Sequence, residues 1–251
     1  MTLSPLQTAR YARQLSLPQI GAAGQARLAA GRVLVVGAGG LGSPGALYLA
    51  AAGIGKIGLM DGDVVEPSNL QRQLLHRTAD IGRPKVVSAA ETQRALNPEK
   101  DVRPMPERLT RANGPHVLAD YDIVIDATDT FEAKFLIADL CHAACKPYVH
   151  GGIAQFYGYA LTVRPGCSTC YRCVFEASPE PEAGPPRGPL GAVPGVIGSV
   201  QATEAVKLLL GAAEDELLLN RLFIYDAWRM AARCVRVTRR PECALCGQTG
   251  F

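Results

Sequence analysis

A glycine-rich turn near the N-terminus is the first stretch of this sequence that could bind a ligand. The motif Gly-Ala-Gly-Gly-Leu-Gly places Gly37, Gly39 and Gly42 in the order G-x-G-x-x-G, between an apolar strand at 33–36 and a helix of small residues. Glycines let the backbone approach a phosphate, which the helix N–H groups and dipole then stabilise. Asp61 ends the next predicted strand, where an acid can bind ribose hydroxyls. These features predict a nucleotide site but do not distinguish NAD from ATP.

The polar stretch at 61–85 favours a polyphosphate ligand. Asn69, Arg72 and Gln73 lie within one predicted helical turn, and Lys85 begins the next helix. Arg72 and Lys85 could bring two positive charges to a polyphosphate, whereas a dehydrogenase fingerprint does not require these cations. The alternative is that they lie on a solvated helix face, as scattered charges usually do.

Two acids follow the strong apolar strand at 123–125. Asp126 and Asp129 are predicted to lie at the carboxyl edge of the sheet, where carboxylates could coordinate Mg²⁺ beside a phosphate. The alternative is structural, because Asp129 or Thr130 could cap the helix that begins at Phe131. Spacing alone favours neither interpretation.

Two C-x₂-C pairs indicate a metal site, formed by Cys170, Cys173, Cys243 and Cys246. Four thiolates suit a closed, structural, tetrahedral Zn²⁺ site. A redox pair is the alternative, and Cys167 could replace one member of the first pair. The other cysteines (Cys141, Cys145 and Cys234) are expected to be small core residues.

Composition limits the remaining possibilities. The chain has 251 residues, of which 48% are hydrophobic and 20% charged, which is typical of a globular protein. A formal net charge of +3 without dense basic runs gives no indication of nucleic-acid binding. No apolar run is long enough to span a membrane, and the polar N-terminus lacks the apolar segment of a secretory signal. We therefore expect a cytoplasmic protein without disulfides.

The alternation of strands and helices predicts an α/β fold with a Rossmann-like, doubly wound sheet, parallel in its N-terminal half and antiparallel in its C-terminal half. The expected strands are 33–36, 56–60, 101–105, 123–125, 148–150 (before a turn at Gly151 and Gly152), 157–163, 222–225 and 234–237. The expected helices are 46–52, 68–75, 85–96, 131–145 and 201–210, besides a helical arm at 5–30.

We expect one domain over residues 1–251. It would comprise a helical arm at 1–30, a nucleotide-binding half at 32–152 and a partner- and zinc-binding half at 153–251. A segment rich in proline and glycine, about 176–194, is predicted to be a mobile loop.

The motifs together resemble the ThiF/MoeB/HesA family, bacterial relatives of ubiquitin-activating enzymes. The resemblance covers nearly the whole chain and depends on RYARQ, GAGGLGSP, DGDVVEPSNLQRQ, GRPK, DATD, CYRC and CALCG, in that order. It looks closest to the adenylyltransferases of molybdopterin synthase and of the thiamine sulfur carrier.

The resemblance implies a reaction and its partners. Such enzymes bind ATP·Mg²⁺ and a small ubiquitin-fold sulfur carrier with a C-terminal Gly-Gly tail. The tail carboxylate attacks the α-phosphorus, which gives an acyl-adenylate and pyrophosphate. A sulfur donor then forms a thiocarboxylate, so a sulfurtransferase or a cysteine desulfurase is a further expected partner.

The resemblance also implies residue roles. Asp61 would bind ribose, Arg72 and Lys85 would bind phosphates, Asp129 would bind Mg²⁺, and the four cysteines of the two pairs would bind Zn²⁺. Arg13 would reach the ATP of a partner subunit, which implies a homodimer. The remaining nucleotide contacts would be Gly37, Gly39, Gly40, Gly42, Asp63, Asn69 and Gln73.

One departure from the family concerns a cysteine that some relatives carry in the loop before the last long helix. Here that position falls near Gly184, and no cysteine lies between Cys173 and Cys234. We therefore expect adenylation without a covalent carrier–enzyme intermediate at this loop. The alternatives are an NAD-dependent oxidoreductase, a non-catalytic nucleotide-binding scaffold and an enzyme that activates a peptide.

Overall fold

The structure is a computed structural model that describes residues 3–177 and 188–247. The chain begins with three helices, α1 (Pro5–Arg10), α2 (Ala12–Leu15) and α3 (Gly21–Ala30). Ser4 starts α1 through a reciprocal pair of hydrogen bonds with Gln7, in which each side chain accepts from the other residue's backbone N–H. The predicted helical arm is confirmed as three short helices.

Strands and helices then alternate along the N-terminal half. They are β1 (Arg32–Val36), α4 (Gly42–Ala52), β2 (Lys56–Met60), α5 (Lys85–Leu96), β3 (Asp101–Met105), α6 (Gly114–Ala119), β4 (Ile123–Asp126), α7 (Phe131–Ala143) and β5 (Tyr148–Ala154). The C-terminal half comprises β6 (Tyr157–Val163), α8 (Tyr171–Val174), α9 (Ala192–Leu210), β7 (Arg221–Asp226) and β8 (Ala231–Arg236).

The described strands form one sheet in the order β3-β2-β1-β4-β5-β6-β7-β8. Strands β3 to β5 are parallel, and β5 to β8 pair antiparallel. This arrangement confirms the predicted fold class. The strand order reverses at β1, whose neighbours are β2 and β4, and open α/β sheets bind ligands in the crevice at such a switch point.

The sheet has an apolar layer on each face. Val33 and Val35 of β1 pack with α4, α5 and α9 on one face, whereas Leu34 and Val36 pack with α6 and α7 on the other. All four are buried, which explains why the strand is a continuous apolar run and does not alternate with polar residues.

Two segments differ in kind from the prediction. The predicted helix 68–75 is a single helical turn (Pro67–Asn69) followed by irregular turns. The side chain of Asn69 accepts from the backbone N–H of Glu66, so it favours a tight turn over a continuing helix. The long helix α9 begins at Ala192, inside the predicted loop 176–194. Residues 178–187 of that loop, which include Gly184, lie outside the described part of the chain. Helices α6 and α8 were not predicted.

The glycines Gly151 and Gly152 lie within β5 and do not form the predicted turn, which lies at Gln155 and Phe156. A Cβ atom at Gly151 would lie 2.5 Å from the side chain of Gln201, and one at Gly152 would lie 2.2 Å from that of Tyr159. These glycines are therefore explained by close packing in the strand.

Two cysteine predictions were also wrong. Cys145 and Cys234 are exposed, because Cys145 follows the last turn of α7 and Cys234 lies on the edge strand β8. Cys141 is buried in the core, as predicted. Among the described helices, none is long and apolar enough to cross a membrane.

Candidate active site

The glycine turn closes tightly between β1 and α4. Gly37 has φ +100°, and a Cβ atom there would lie 2.6 Å from the carbonyl oxygen of Ala127; one at Gly42 would lie 1.9 Å from the carbonyl oxygen of Gly37. These two positions therefore require glycine. Within the described residues no side chain caps the start of α4. Ser43 donates its N–H to the carbonyl oxygen of Gly39 at 2.9 Å and Pro44 has no N–H, so the N–H of Gly42 is the one that the first three helical residues can offer to an anion.

The acid at the end of β2 is tied to this turn. Asp61 accepts a hydrogen bond from the backbone N–H of Ala38 through one carboxylate oxygen and from that of Asp63 through the other, both at 2.8 Å. Each oxygen retains a lone pair, so the carboxylate can still accept from a ribose hydroxyl.

His76 also holds the glycine turn, through Ala38. It was not predicted as a functional residue. Its Nε2 lies 3.0 Å from the carbonyl oxygen of Ala38, and its Nδ1 lies 3.0 Å from the hydroxyl of Ser88. Burial lowers the pKa of His76, so the ring is neutral at pH 7. The glycine turn is thus held at Ala38 by Asp61 and His76.

Lys85 lies at the same edge as a buried cation. It is 7% exposed, and its Nζ lies 3.2 Å from the carboxylate of Asp63, which also accepts from Arg108 at 2.8 Å. Burial opposes ionisation of Asp63, but Lys85 and Arg108 outweigh it and lower the pKa of this carboxyl. Arg108 was missed by the sequence analysis, which had no motif that includes it.

Arg72 lies against the glycine turn. Its Cγ is 3.4 Å from the position that a Cβ atom would occupy at Gly40, and Pro194 of α9 lies on the same glycine at 3.3 Å. The guanidinium donates to the carbonyl oxygen of Ser68 at 3.0 Å. Arg72 therefore packs on the turn at Gly40, whereas Lys85 is linked to the turn through Asp63 and Asp61.

The two amides beside Arg72 differ. The amide nitrogen of Gln73 lies 3.6 Å from the Cβ position of Gly39, and its Oε1 is buried without a hydrogen-bond partner among the described residues. Asn69 is 7% exposed, and its Oδ1 accepts a hydrogen bond from the backbone N–H of Glu66. Gln73 thus faces the glycine turn, whereas Asn69 shapes its own loop.

Asp129 lies on the loop between β4 and α7, which contacts the glycine turn through Ala127. The residue is exposed, and within residues 3–177 and 188–247 its carboxylate accepts no hydrogen bond. Thr130 is the residue that caps α7, through a bond from the N–H of Ala133 at 3.3 Å. The capping alternative therefore applies to Thr130 and leaves Asp129 available as a cation ligand.

Asp126 is buried and engaged within the protein, unlike Asp129. Its carboxylate accepts from the N–H and hydroxyl of Thr128 at 3.1 and 2.7 Å and from Nδ1 of His150 at 2.6 Å. Burial opposes ionisation, but Lys134 and His150 hold the pKa of Asp126 well below its usual value. The chemistry of this donor set fits a structural anion and not a metal ligand.

Arg13 is not close to these residues within one chain. Its neighbour Gln14 donates to the carbonyl oxygen of Ala52 at 2.9 Å, so α2 lies at the C-terminal end of α4. Helix α4 has 11 residues and begins at the glycine turn, so its two ends are about 16 Å apart. Arg13 is exposed at that opposite edge of the sheet.

The four cysteines of the two pairs meet in one cluster. Their Sγ atoms all lie within 4.8 Å of one another, with separations of 3.5 Å for Cys170–Cys243 and 3.4 Å for Cys173–Cys246. A tetrahedral Zn²⁺ with Zn–S bonds of about 2.3 Å requires S–S separations of about 3.8 Å, so the cluster fits zinc. Cys167 is exposed and lies outside it, which excludes the alternative ligand.

The thiols of the cluster differ in acidity, since burial raises the pKa of Cys170 and of Cys246. Burial opposes ionisation, but the backbone N–H groups of Cys246 and Leu245 lower the pKa of Cys243 to about 6. The set of four converging thiols also disfavours a redox pair, because a thiol–disulfide site needs two cysteines and not four.

Fold and site together define an α/β protein with a glycine turn at the switch point of its sheet and a cluster of four thiols, and comparison with known proteins identifies its family. The ThiF family matches residues 11–245, and this chain belongs to it. The SAMP-activating enzyme E1 of Haloferax volcanii is 45% identical over 253 residues, which span 100% of this chain and 93% of that protein. The sulfur carrier protein adenylyltransferase of Thermus thermophilus is 44% identical over 246 residues, 95% of this chain and 90% of that one.

A solved structure agrees in fold. The crystal structure of Escherichia coli MccB with ATP matches with a TM-score of 0.82 and 25% identity, over 95% of this chain and 75% of that chain. The resemblance inferred from the seven sequence motifs is confirmed. The roles of individual residues stay predictions.

Proposed function

We propose that this protein adenylates the C-terminal Gly-Gly carboxylate of a small ubiquitin-fold sulfur carrier. One observation carries the proposal: the glycine turn with Arg72, Lys85 with Asp63, and the exposed Asp129 follow the carboxyl ends of β1, β2 and β4, three neighbouring strands at the switch point of the sheet. The names of the two relatives, a SAMP-activating enzyme and a sulfur carrier protein adenylyltransferase, support a carrier protein as the substrate. ATP is the second substrate.

The chemistry requires charge neutralisation and no general base. A carboxylate is ionised at pH 7, so the tail can attack the α-phosphorus directly. The new bond joins a tail oxygen to that phosphorus, while the bond to the bridging oxygen breaks and pyrophosphate leaves with its electron pair. Two like charges 4 Å apart repel by about 4 kcal/mol at an effective dielectric constant near 20, so cations must offset the repulsion.

The residues at the switch point would divide this work. The N–H groups of the glycine turn would bind phosphate oxygens, and Asp61 would accept from the ribose. Lys85, held by Asp63, and Arg72, held over Gly40, would stabilise the leaving pyrophosphate. Asp129 would hold Mg²⁺, which supplies positive charge to the phosphates when bound.

The remaining elements would complete the enzyme. Arg13 would act in the site of a second copy, since it lies at the far edge of its own, so the active form would be a homodimer. A zinc ion held by the four cysteines would join α8 to the C-terminal segment. The single domain 1–251 would thus pair a nucleotide-binding half, 32–152, with a carrier- and zinc-binding half, 153–251.

The proposal extends to sulfur transfer for molybdopterin or thiamine biosynthesis or a related pathway, in the cytoplasm. A sulfurtransferase or a cysteine desulfurase would supply sulfur to the acyl-adenylate. Because no cysteine lies between Cys173 and Cys234, sulfur would reach the carrier without a thioester to that loop.

The test is ATP–pyrophosphate exchange with candidate Gly-Gly carriers. Exchange should require a carrier and should fall to background in Asp129→Ala. Asp215→Ala is the matched control, because Asp215 is an exposed acid remote in sequence from every site residue. The proposal is wrong if no carrier supports exchange, or if Asp129→Ala exchanges at the wild-type rate.

Two further measurements separate the alternatives. ATP·Mg²⁺ should raise the melting temperature whereas NAD should not, since only a bound ligand stabilises the folded state. A ubiquitin-fold carrier and a free peptide with the same C-terminal residues should be compared in the exchange assay. Equal exchange with the peptide would identify a peptide-activating enzyme.

A further inference from the structure

A buried lysine lies directly behind the loop that carries Asp129. Lys134 is 4% exposed, and its Nζ donates to the carbonyl oxygens of Thr128 and Gly151, each at 2.6 Å. The ammonium also lies 3.5 Å from the carboxylate of Asp126. It thus joins the loop after β4 to the neighbouring strand β5.

The charge of Lys134 is balanced inside the protein. Asp126 is fully buried and ionised, and the His150 ring that donates to it is neutral at pH 7, because burial lowers the pKa of this histidine to about 4. Lys134 and Asp126 therefore form a buried ion pair with hydrogen bonds on every side. Breaking such a pair on one side leaves an uncompensated charge.

These contacts hold the loop at successive residues. The N–H of Ala127 donates to Val36 at 2.9 Å, the N–H and hydroxyl of Thr128 donate to Asp126, and the carbonyl of Thr128 accepts from Lys134. Thr130 is engaged as the cap of α7. Asp129 and Thr130 are both exposed, but the side chain of Asp129 makes no hydrogen bond within the described residues, on a backbone fixed on both sides.

We propose that Lys134 is a positioning residue that sets the place and orientation of Asp129 through the carbonyl group of Thr128. The inference rests on the proposed function, in which Asp129 binds the cation that accompanies ATP. Lys134 touches neither substrate nor metal in this arrangement. Outer-shell groups of this kind determine how well an inner ligand binds.

Simple electrostatics predicts the opposite effect of removing the lysine. Its positive charge faces Asp129 as well as Asp126. If charge alone mattered, an uncharged residue at position 134 would make cation binding at Asp129 tighter. If positioning matters, the same change frees the Thr128 carbonyl and makes cation binding weaker. The sign of the change in cation affinity therefore distinguishes a positioning role of Lys134 from an effect of its charge alone.

The experiment measures binding of Mn²⁺ by electron paramagnetic resonance with α,β-methylene-ATP, which cannot release pyrophosphate, and without any carrier. Lys134→Met removes the charge and keeps the length of the side chain, and Lys134→Arg keeps the charge. Lys146→Met is the matched control, since Lys146 donates to the carbonyl of Tyr121 at 2.8 Å at the other end of α7.

We expect the Mn²⁺ concentration for half-saturation to rise at least ~10-fold in Lys134→Met, to stay within ~3-fold in Lys134→Arg, and not to change in Lys146→Met. Should Lys134→Met fail to fold, Thr128→Val removes the hydroxyl bond to Asp126 and should raise the same concentration. Unchanged or tighter Mn²⁺ binding in Lys134→Met, or in Thr128→Val where it takes the place of that variant, would overturn the role of Lys134. Absence of nucleotide binding in the wild type would overturn the proposed function as well.

Discussion

The carboxylate of Asp63 holds the ammonium group of Lys85 at 3.2 Å, at the edge where β2 ends. The two residues are 22 positions apart in the chain, and the loop between them folds back over the glycine turn. Lys85 is almost fully buried, whereas Asp63 is half-exposed and also binds Arg108. The acid therefore fixes a buried cation that has few orientations open to it, beside the end of β2.

Replacing Lys85 by methionine should reduce the exchange rate about 100-fold, because one fixed positive charge is lost from the leaving pyrophosphate. The melting temperature should change little, since Asp63 retains Arg108 and is partly solvated. Lys56→Met is the control. Lys56 pairs with Asp120 at the opposite edge of the sheet, so this variant should catalyse exchange at the wild-type rate. An exchange rate within twofold of wild type in Lys85→Met would exclude the assigned role.

Two inactive variants should restore activity when mixed, if Arg13 acts across a dimer. A dimer of one Arg13→Ala chain and one Asp129→Ala chain has one site with both residues intact. Random assortment gives half heterodimers, each with one active site of two, so mixing should restore about a quarter of wild-type activity. The measurement is exchange before and after co-refolding of the two chains. No recovery would show that Arg13 serves its own chain or none.

Loss of one cysteine of the cluster should remove zinc and lower stability. Cys243→Ser should reduce the metal content from one zinc per chain to near zero and lower the melting temperature by about 10 °C, because metal binding contributes to folding. Cys167→Ser, which changes an exposed cysteine outside the cluster, should alter neither. Metal analysis measures the zinc content, and calorimetry measures the melting temperature. Zinc retained by Cys243→Ser would rule out the four-cysteine site.

Stability should fall with acid because of the buried His150. Burial, with repulsion from Lys134, lowers the pKa of His150 to about 4 in the folded state, against 6.5 for a free histidine. The unfolded chain therefore binds a proton between pH 6.5 and 4 that the folded chain does not, and stability is lost as pH falls through this window. The full loss is about 3 kcal/mol at 1.36 kcal/mol per pKa unit.

Urea unfolding at pH 7, 5.5 and 4.5 measures this loss. His150→Asn is expected to be less stable at pH 7 but to lose less stability on acidification, since asparagine does not titrate. The exposed His116, changed to asparagine, should retain the wild-type dependence. Equal slopes for wild type and His150→Asn would show that another group causes the acid sensitivity.

Regular elements were predictable where local pattern and burial agree. The bounds of β2, β3, β6 and α5 match the predicted segments at both ends. Strands β2 and β6 are mainly apolar, whereas β3 is the edge strand Asp-Val-Arg-Pro-Met, and α5 follows a proline that ends the preceding loop. The predicted helix 68–75 failed because polar side chains there bond to their own backbone, which a periodicity argument does not detect.

The candidate site was predictable where a motif encodes it. Asp61, Lys85 and the two cysteine pairs were identified as candidates from their spacing. That spacing is informative because it places each of them at a definite point of a local element: a strand end, a helix start or a C-x₂-C pair. Arg108, His76 and Lys134 were missed, and each acts through a contact with a distant segment. His76 lies 38 residues from Ala38, and the Lys134 ammonium reaches 17 residues ahead to Gly151. No local pattern marks such residues.

By itself, the sequence determined the fold class, the glycine turn and the supply of acids, cations and thiols, because these depend on residue type and short-range spacing. Only the tertiary structure decided which of them meet. It buried Asp126 and left Asp129 exposed, brought the four cysteines together with Cys167 outside the cluster, and placed Arg13 at the far edge of the sheet. The physical reason is that parallel strands with crossover helices bring distant strand ends to one edge, where burial and charge pairing then leave a few side chains free to bind a ligand.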